Sequence, residues 1–266
     1  MTWDDLQNWH DEDLERYARH LVMPEIGTSG QKKLAQARVL IVGIGGLGNP
    51  MLAYLAAAGV ATIGIIDDDC VERSNLHRQT LFDEGALGQK KTVAAERAIA
   101  RLNPTTRITA YPQRLTTKNA RATVADYDIV ADGSDNFATR YLVNATCHAL
   151  KKTLVSAACQ GFEGHLATFQ PWLNAQAPCY QCLFPKDHDN PADSQDTCAR
   201  AGILGPIAGI MGSMQALEII KQIVGITPSP PSSSGILLYD GLHQRLCVIE
   251  ARKNPKCPLC FPTSET

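Results

Sequence analysis

Arg38-Val-Leu-Ile-Val-Gly-Ile-Gly-Gly-Leu-Gly48 is the stretch that decides the fold. Arg38 to Val42 is an apolar run of strand length, bounded by glycine. Gly43, Gly45, Gly46 and Gly48 follow it, and Leu47 to Ala58 is a small-residue helix that stops at Gly59. A glycine turn between a strand and a helix lets backbone approach a phosphate closely. The helix N-terminus then favours the negative charge. Asp67 lies 19 residues past Gly48, at the end of a second strand, Ala61 to Ile66. That is where a carboxylate meets ribose hydroxyls. The turn alone leaves NAD and ATP open, and a tight packing turn with no ligand is the plainer alternative.

The pattern outward from this turn is regular. Asp4 to Leu21 has helical periodicity, with Pro24 and Gly27 beyond it. Gln89 to Leu102 reads as a helix, Arg107 to Tyr111 as a strand and Thr117 to Val124 as a helix. Asp128 to Ala131, Asn136 to Leu150 and Thr153 to Ala157 continue the alternation. The expected fold is α/β: a Rossmann-like, mainly parallel sheet with helices on both faces. After Ala158 the pattern turns antiparallel, with strands at Gly161 to Gln170, Gly235 to Tyr239 and Arg245 to Glu250. Lys186 to Ala199 reads as a mobile polar loop and Thr227 to Ser234 as a connector. Glycines at 202, 205, 209 and 212, before and within the helix Gly205 to Val224, point to close backbone packing on a buried face. A single unit is expected over 1–266: a helical segment at 1–37, a nucleotide-binding part at 38–158, and a carrier-binding and zinc part at 159–266.

Composition narrows the function. The chain has 266 residues, 44% hydrophobic and 20% charged, enough for a sizeable core. A net charge of -2 argues against nucleic acid as a partner. No signal-peptide pattern opens the chain, and no apolar run is read as a membrane span, since five breaks interrupt Ile203 to Ile220. A cytoplasmic setting is expected. There the nine cysteines fit metal and thiol chemistry better than disulfides.

Three features favour ATP over NAD. Asp67-Asp68-Asp69 runs on into Ser74-Asn75-Leu76-His77-Arg78-Gln79. Gly88-Gln89-Lys90-Lys91 puts a lysine at the sheet edge. Asp132-Gly133-Ser134-Asp135-Asn136 follows a strand, at the end where open α/β sheets bind ligands. Arg78 and Lys91 can balance phosphate charge, and Asp135 can hold Mg2+. Read singly, each cation is a solvated surface charge, and Asp135 is equally suited to cap the helix after it.

Cys179-x-x-Cys182 and Cys257-x-x-Cys260 are separated by 74 residues. Two such pairs form a four-thiolate zinc site with no open position, which is structural. Cys198 stands in the polar loop beside Arg200 and before the Gly205 helix, a setting that lowers a thiol pKa. Cys70, Cys147, Cys159 and Cys247 read as small buried residues.

RYARH at 16–20, the glycine turn, the DDD–SNLHRQ block, GQKK and DGSDN resemble the ThiF/MoeB/HesA family, relatives of ubiquitin-activating enzymes. The likeness runs from about Arg16 to Cys260. It implies adenylation of the C-terminal glycine carboxylate of a small ubiquitin-like sulfur-carrier protein ending Gly-Gly, with ATP, Mg2+ and Zn2+. By the same resemblance Asp67 binds ribose. Asn75, Arg78 and Lys91 contact phosphates, with Asp69 beside them, and Asp135 holds Mg2+. Arg19 reaches the partner subunit's ATP site in a homodimer, and Cys198 links covalently to the carrier. DGSDN departs from the family's DCTDN, keeping the hydroxyl and losing a thiol. GFEGHLATFQPW at 161–172 and TCARAGILGP at 197–206 lean toward ThiF, hence toward thiamin, with a molybdopterin-type carrier as the alternative. The sulfur would come from a separate donor. A tRNA dehydratase, an NAD-dependent dehydrogenase and a non-catalytic scaffold subunit fit these motifs less well.

Overall fold

A computed structural model describes residues 9–186, 202–226 and 235–261. The first strand, β1 (Arg38–Val42), is flanked in space by β2 (Thr62–Ile66) and β4 (Ile129–Asp132), both parallel to it. β3 (Arg107–Tyr111) extends the sheet beyond β2, and β5 (Thr153–Gln160) beyond β4. From β5 the sheet turns antiparallel through β6 (Glu163–Phe169), β7 (Gly235–Asp240) and β8 (Arg245–Glu250). The order is β3-β2-β1-β4-β5-β6-β7-β8 in one eight-stranded sheet. The line expected between residues 158 and 159 falls inside β5, so the sheet is continuous across it.

Alternation along the central strands feeds two cores. Val39, Ile41, Ile63, Ile65, Val155 and Ala157 face one side, with α3 (Gly48–Ala57), α4 (Lys91–Leu102) and the long helix α8 (Gly205–Val224). Leu40, Val42, Ile66, Val130 and Leu154 face the other, with α5 (Ala120–Ala125), α6 (Phe137–Leu150) and the short α7 (Tyr180–Leu183). Each fully buried Leu, Ile or Val adds about 1.5–3 kcal/mol over leaving it in water. A parallel sheet covered on both faces needs such continuous apolar strands.

Two helices precede the sheet. α1 (Asp11–Leu21) starts later than Asp4, since Trp9 and His10 are not helical, while residues 1–8 lie outside the described part. It buries Tyr17 and Leu21. The Tyr17 hydroxyl takes a hydrogen bond from Asn103 Nδ2 at 3.1 Å, pinning α1 to the end of α4. α2 (Gly27–Gln36) was not expected. Its sequence, GTSGQKKLAQ, has two glycines and little apolar periodicity. Tertiary contacts hold it instead: Leu34 is in the core, and Gln31 Nε2 donates to Ala58 O at 2.8 Å.

α8 is, by length and composition, apolar enough to cross a membrane, contrary to the expectation from its breaks. It packs on α3, β5 and β6, burying Ile207, Ala208, Met211, Gln215, Ala216 and Ile219 in the protein core. Its glycine pattern divides. A Cβ on Gly205 would lie 2.5 Å from His77 O, and one on Gly212 would lie 2.4 Å from Leu47 O. Gly209 has nothing within 4 Å, and Gly202 precedes the helix. Close approach therefore holds at two of the four positions. The expected cysteine burial also divides: Cys147 and Cys159 are buried, Cys70 is partly exposed, and Cys247 is exposed on the edge strand β8.

Gly212→Ala is expected to push α8 off the start of α3 and to cost about 1–3 kcal/mol. Gly209→Ala is expected to stabilise by up to about 1 kcal/mol through helix propensity. Urea unfolding of both variants checks the pair, and equal effects would refute the packing.

Candidate active site

The parallel part of the sheet reverses its winding between β1 and β4. A cleft of about 420 Å3 opens at the carboxyl ends of these strands. Ligands of open α/β sheets sit at this switch point.

The cleft is built on the turn after β1. Gly43 has φ +89, a conformation that L side chains rarely adopt. A Cβ at Gly48 would lie 2.2 Å from Gly43 O, so the helix can begin this close to the strand only with glycine. Asp67 closes the turn from below. Its Oδ2 accepts from Ile44 N at 2.8 Å and its Oδ1 from Asp69 N at 2.8 Å. Burial raises the Asp67 pKa, while the Lys91 charge and these two N–H groups pull it down. A carboxylate has about four lone-pair sites, so it can still accept from hydroxyls.

Lys91 begins α4 and is buried to 5% exposure. Its Nζ donates to Asp69 Oδ2 at 2.7 Å, which holds an ammonium ion at the cleft wall. Asn75 and Arg78 come from the segment after β2. Arg78 Nη1 donates to Ser74 O at 3.1 Å and meets His77 Nε2 at 2.8 Å. Asn49 fastens this segment to the turn: its Nδ2 donates to Ile44 O and Gly45 O, and its Oδ1 accepts from Leu81 N at 2.9 Å.

Asp135 stands exposed in the lining of the same cleft. It is not the cap of α6. Asn136 fills that position, its side chain accepting from Thr139 N at 2.9 Å, and it also donates to Asp135 Oδ1 at 3.2 Å. The capping need is met by the neighbour, which leaves Asp135 facing the cleft. Behind it, Asp132 is buried and accepts from Ser134 N, Ser134 Oγ and Ser156 Oγ.

Gly43, Gly45, Gly46, Asp67, Asp69, Asn75, Arg78, Lys91 and Asp135 thus line one cleft. Gly48 shapes it from the start of α3. Arg19 is exposed on α1 and does not line this chain's own cleft. Cys198 lies outside the described residues. Sequence reasoning missed Gln79, Gln113, Arg114, Arg140 and Cys159, all of which line the cleft. Arg140 is buried and donates to Ser134 O through Nε and Nη2 at 3.3 and 2.8 Å, so it sets the loop that carries Asp135. Its signal was a cation four residues into the helix after DGSDN, on the side facing the loop.

Cys179, Cys182, Cys257 and Cys260 meet in a second cluster. Sulfur separations are 3.8 Å (179–182), 3.7 Å (179–257) and 3.7 Å (182–260). A tetrahedron of thiolates around zinc has edges of about 3.8 Å, so the four sulfurs fit that ion. Crowding sets the thiols apart. The Cys179 thiol is pushed up, first by its hydrogen bond to Cys182 and then by burial, while the same bond pulls Cys182 down to about 4. A divalent cation would relieve the repulsion among the charged sulfurs. The cluster joins the segment after β8 to α7, far in sequence and adjacent in space.

The ThiF family profile matches residues 17–259. The chain belongs to the ThiF family. The sulfur carrier protein adenylyltransferase of Thermus thermophilus is 44% identical over 254 residues, covering 95% of this chain and 92% of that protein. The adenylyltransferase and sulfurtransferase MOCS3 of Xenopus laevis is 44% identical over 255 residues, 96% of this chain. The chain spans about half of that relative, 55% of its length. Among solved structures, Escherichia coli MccB with ATP has a TM-score of 0.78 at 23% identity, over 92% of this chain and 74% of that one. That likeness is one of fold.

Cys257→Ser is expected to strip bound zinc and to lower the melting temperature by about 4 °C or more, the shift that ~2 kcal/mol gives in a chain of this size. Metal analysis and calorimetry on the purified variant check this. Undiminished zinc would refute the four-sulfur site.

Proposed function

We propose that the chain transfers AMP from ATP to the C-terminal glycine carboxylate of a small ubiquitin-like sulfur-carrier protein, releasing pyrophosphate. The observation that carries this is the cleft itself. It combines a glycine turn for phosphate, a buried lysine, an arginine and an exposed aspartate, with no histidine among its described lining residues. A carboxylate nucleophile is already ionised near pH 7, so attack on the α-phosphorus needs no base. It needs charge stabilisation at the phosphates, which a preorganised site supplies best.

In this reading Asp67 binds the ribose. Asn75, Arg78 and Lys91 hold the phosphates, and Lys91 trades its Asp69 partner for phosphate oxygens. Asp135 suits Mg2+, an ion that takes one or two protein carboxylates and completes its shell with water and phosphate. When bound, the ion would neutralise charge on the leaving pyrophosphate. Zinc in the four-cysteine cluster is structural, and a reducing, cytoplasmic setting would keep its thiols competent. Arg19, exposed and outside its own cleft, suits a homodimer in which it completes the partner's site. Cys198 acts after adenylation, in a covalent link to the carrier, with sulfur from a separate donor. The residues 38–158 bind nucleotide and 159–266 bind the carrier.

A thiamin-type carrier is favoured by the segments at 161–172 and 197–206, with a molybdopterin-type carrier as the second reading. The names of the two relatives support sulfur-carrier adenylation and leave the pathway open.

ATP–pyrophosphate exchange with each carrier tests the proposal. Exchange that depends on one carrier is expected. Asp135→Ala and Arg78→Ala are expected to lower it by about a hundredfold or more, the usual loss for a charge-stabilising group. Cys198→Ala is expected to leave it intact. Exchange at the parent rate in either of the first two variants would overturn the assignment of the site.

A further inference from the structure

Gln79 is buried to 2% exposure at the cleft wall. Its main chain is tied down: its N–H donates to Asn75 O at 3.0 Å, and its carbonyl accepts from Phe82 N at 3.1 Å. Its side-chain Oε1 is buried with no hydrogen-bond partner among the described residues. Buried polar atoms are normally paired, and an exception in a cleft calls for a reason. The other amide atom supplies one. The space above Gly45 is open, and the nearest heavy atom to a Cβ placed there is Gln79 Nε2, at 4.0 Å.

We propose that Gln79 is a phosphate-binding residue, whose Nε2 donates a hydrogen bond to a phosphate oxygen of the nucleoside triphosphate resting on Gly45. This deepens the adenylyl-transfer reading and rests on it. An oxygen lying against the turn at Gly45 takes the place where a side chain would stand. Nε2 flanks that place, and no protein acceptor among the described residues competes for it. The amide also has only one useful orientation there, since turning it half-way round would set Oε1 against a phosphate oxygen.

Placement is rigid enough for this. Asn49 bonds to the carbonyls of Ile44 and Gly45 on one side and to Leu81 N on the other, so the turn and the Gln79 segment move together. The contribution differs from those of Lys91 and Arg78. Gln79 brings a neutral donor with a fixed direction, and the ligand meets it without displacing an ion-pair partner.

Calorimetric titration of Gln79→Leu and Gln79→Glu, with Mg2+ATP and with adenosine, tests this. Adenosine carries no phosphate and isolates the rest of the site. ATP affinity is expected to fall about tenfold or more in both variants, the range for a hydrogen bond to a charged group. Adenosine affinity is expected to stay within about twofold, because no charged contact is lost. Ligand-free Gln79→Leu is expected to melt no lower than the parent, since an unpartnered polar atom has been removed. Parent-like ATP affinity in both variants would overturn the role of Gln79 while leaving the adenylation reading standing. Equal losses for ATP and adenosine would overturn it as well, showing a disturbed cleft. A parent chain that binds no ATP would overturn both.

Discussion

The close approach of Gly43 O to Gly48 is the constraint on which the rest depends. Strand β1 ends and helix α3 begins within five residues, at a separation that leaves no room for a Cβ. The tight return brings backbone N–H groups to the carboxyl edge of the sheet. It also carries Asp67, through its bond to Ile44 N, and Asn49, through Gly45 O, into one connected unit. Because the turn is held by glycine sterics and by short backbone bonds, the cleft is shaped before any ligand arrives. Preorganisation of this kind is what makes charge stabilisation effective.

Around that turn the charges sit in balanced pairs. Lys91 is held by Asp69, and Asp67 is half-buried and held by two amides. Burial of a lysine ammonium is costly unless it is paired. Asp69 supplies that partner for Lys91 at the cleft wall. Asp135 stands differently, exposed and with Asn136 beside it. A solvated carboxylate is the right kind of oxygen for a hydrated magnesium ion. Arg140 acts one step back, fixing Ser134 O and hence the loop. The four-cysteine cluster does similar service for the second half of the chain, where β8 and the segment after it have few buried neighbours of their own.

Much of this was legible in the sequence because its causes are local. The run RVLIV is read as a strand and the structure has β1 at Arg38–Val42; Gly205 to Val224 is a helix in both. Gly43 to Gly48 points to a phosphate turn because glycine is required by the bond geometry of that turn. CxxC spacing points to metal because two sulfurs on one short segment reach one point. What was missed has non-local causes. α2 has a weak pattern and is held by Gln31 on Ala58 and by Leu34 in the core. Cys247 has apolar neighbours in sequence, yet β8 is an edge strand whose residues are all exposed. Asp135 and Asn136 compete for one cap, and only the geometry shows that Asn136 takes it.

By itself the sequence determined the α/β class, the switch from parallel to antiparallel pairing, the glycine turn and the two CxxC pairs. Each follows from periodicity or from spacing within a few residues. Only the tertiary structure decided that Lys91 meets Asp69, that Arg140 and Gln79 stand in the same cleft, and that sulfurs 78 positions apart come within 3.7 Å. Those placements depend on how strands order in the sheet and how helices lean on it. Long-range packing sets them, and no local propensity encodes it.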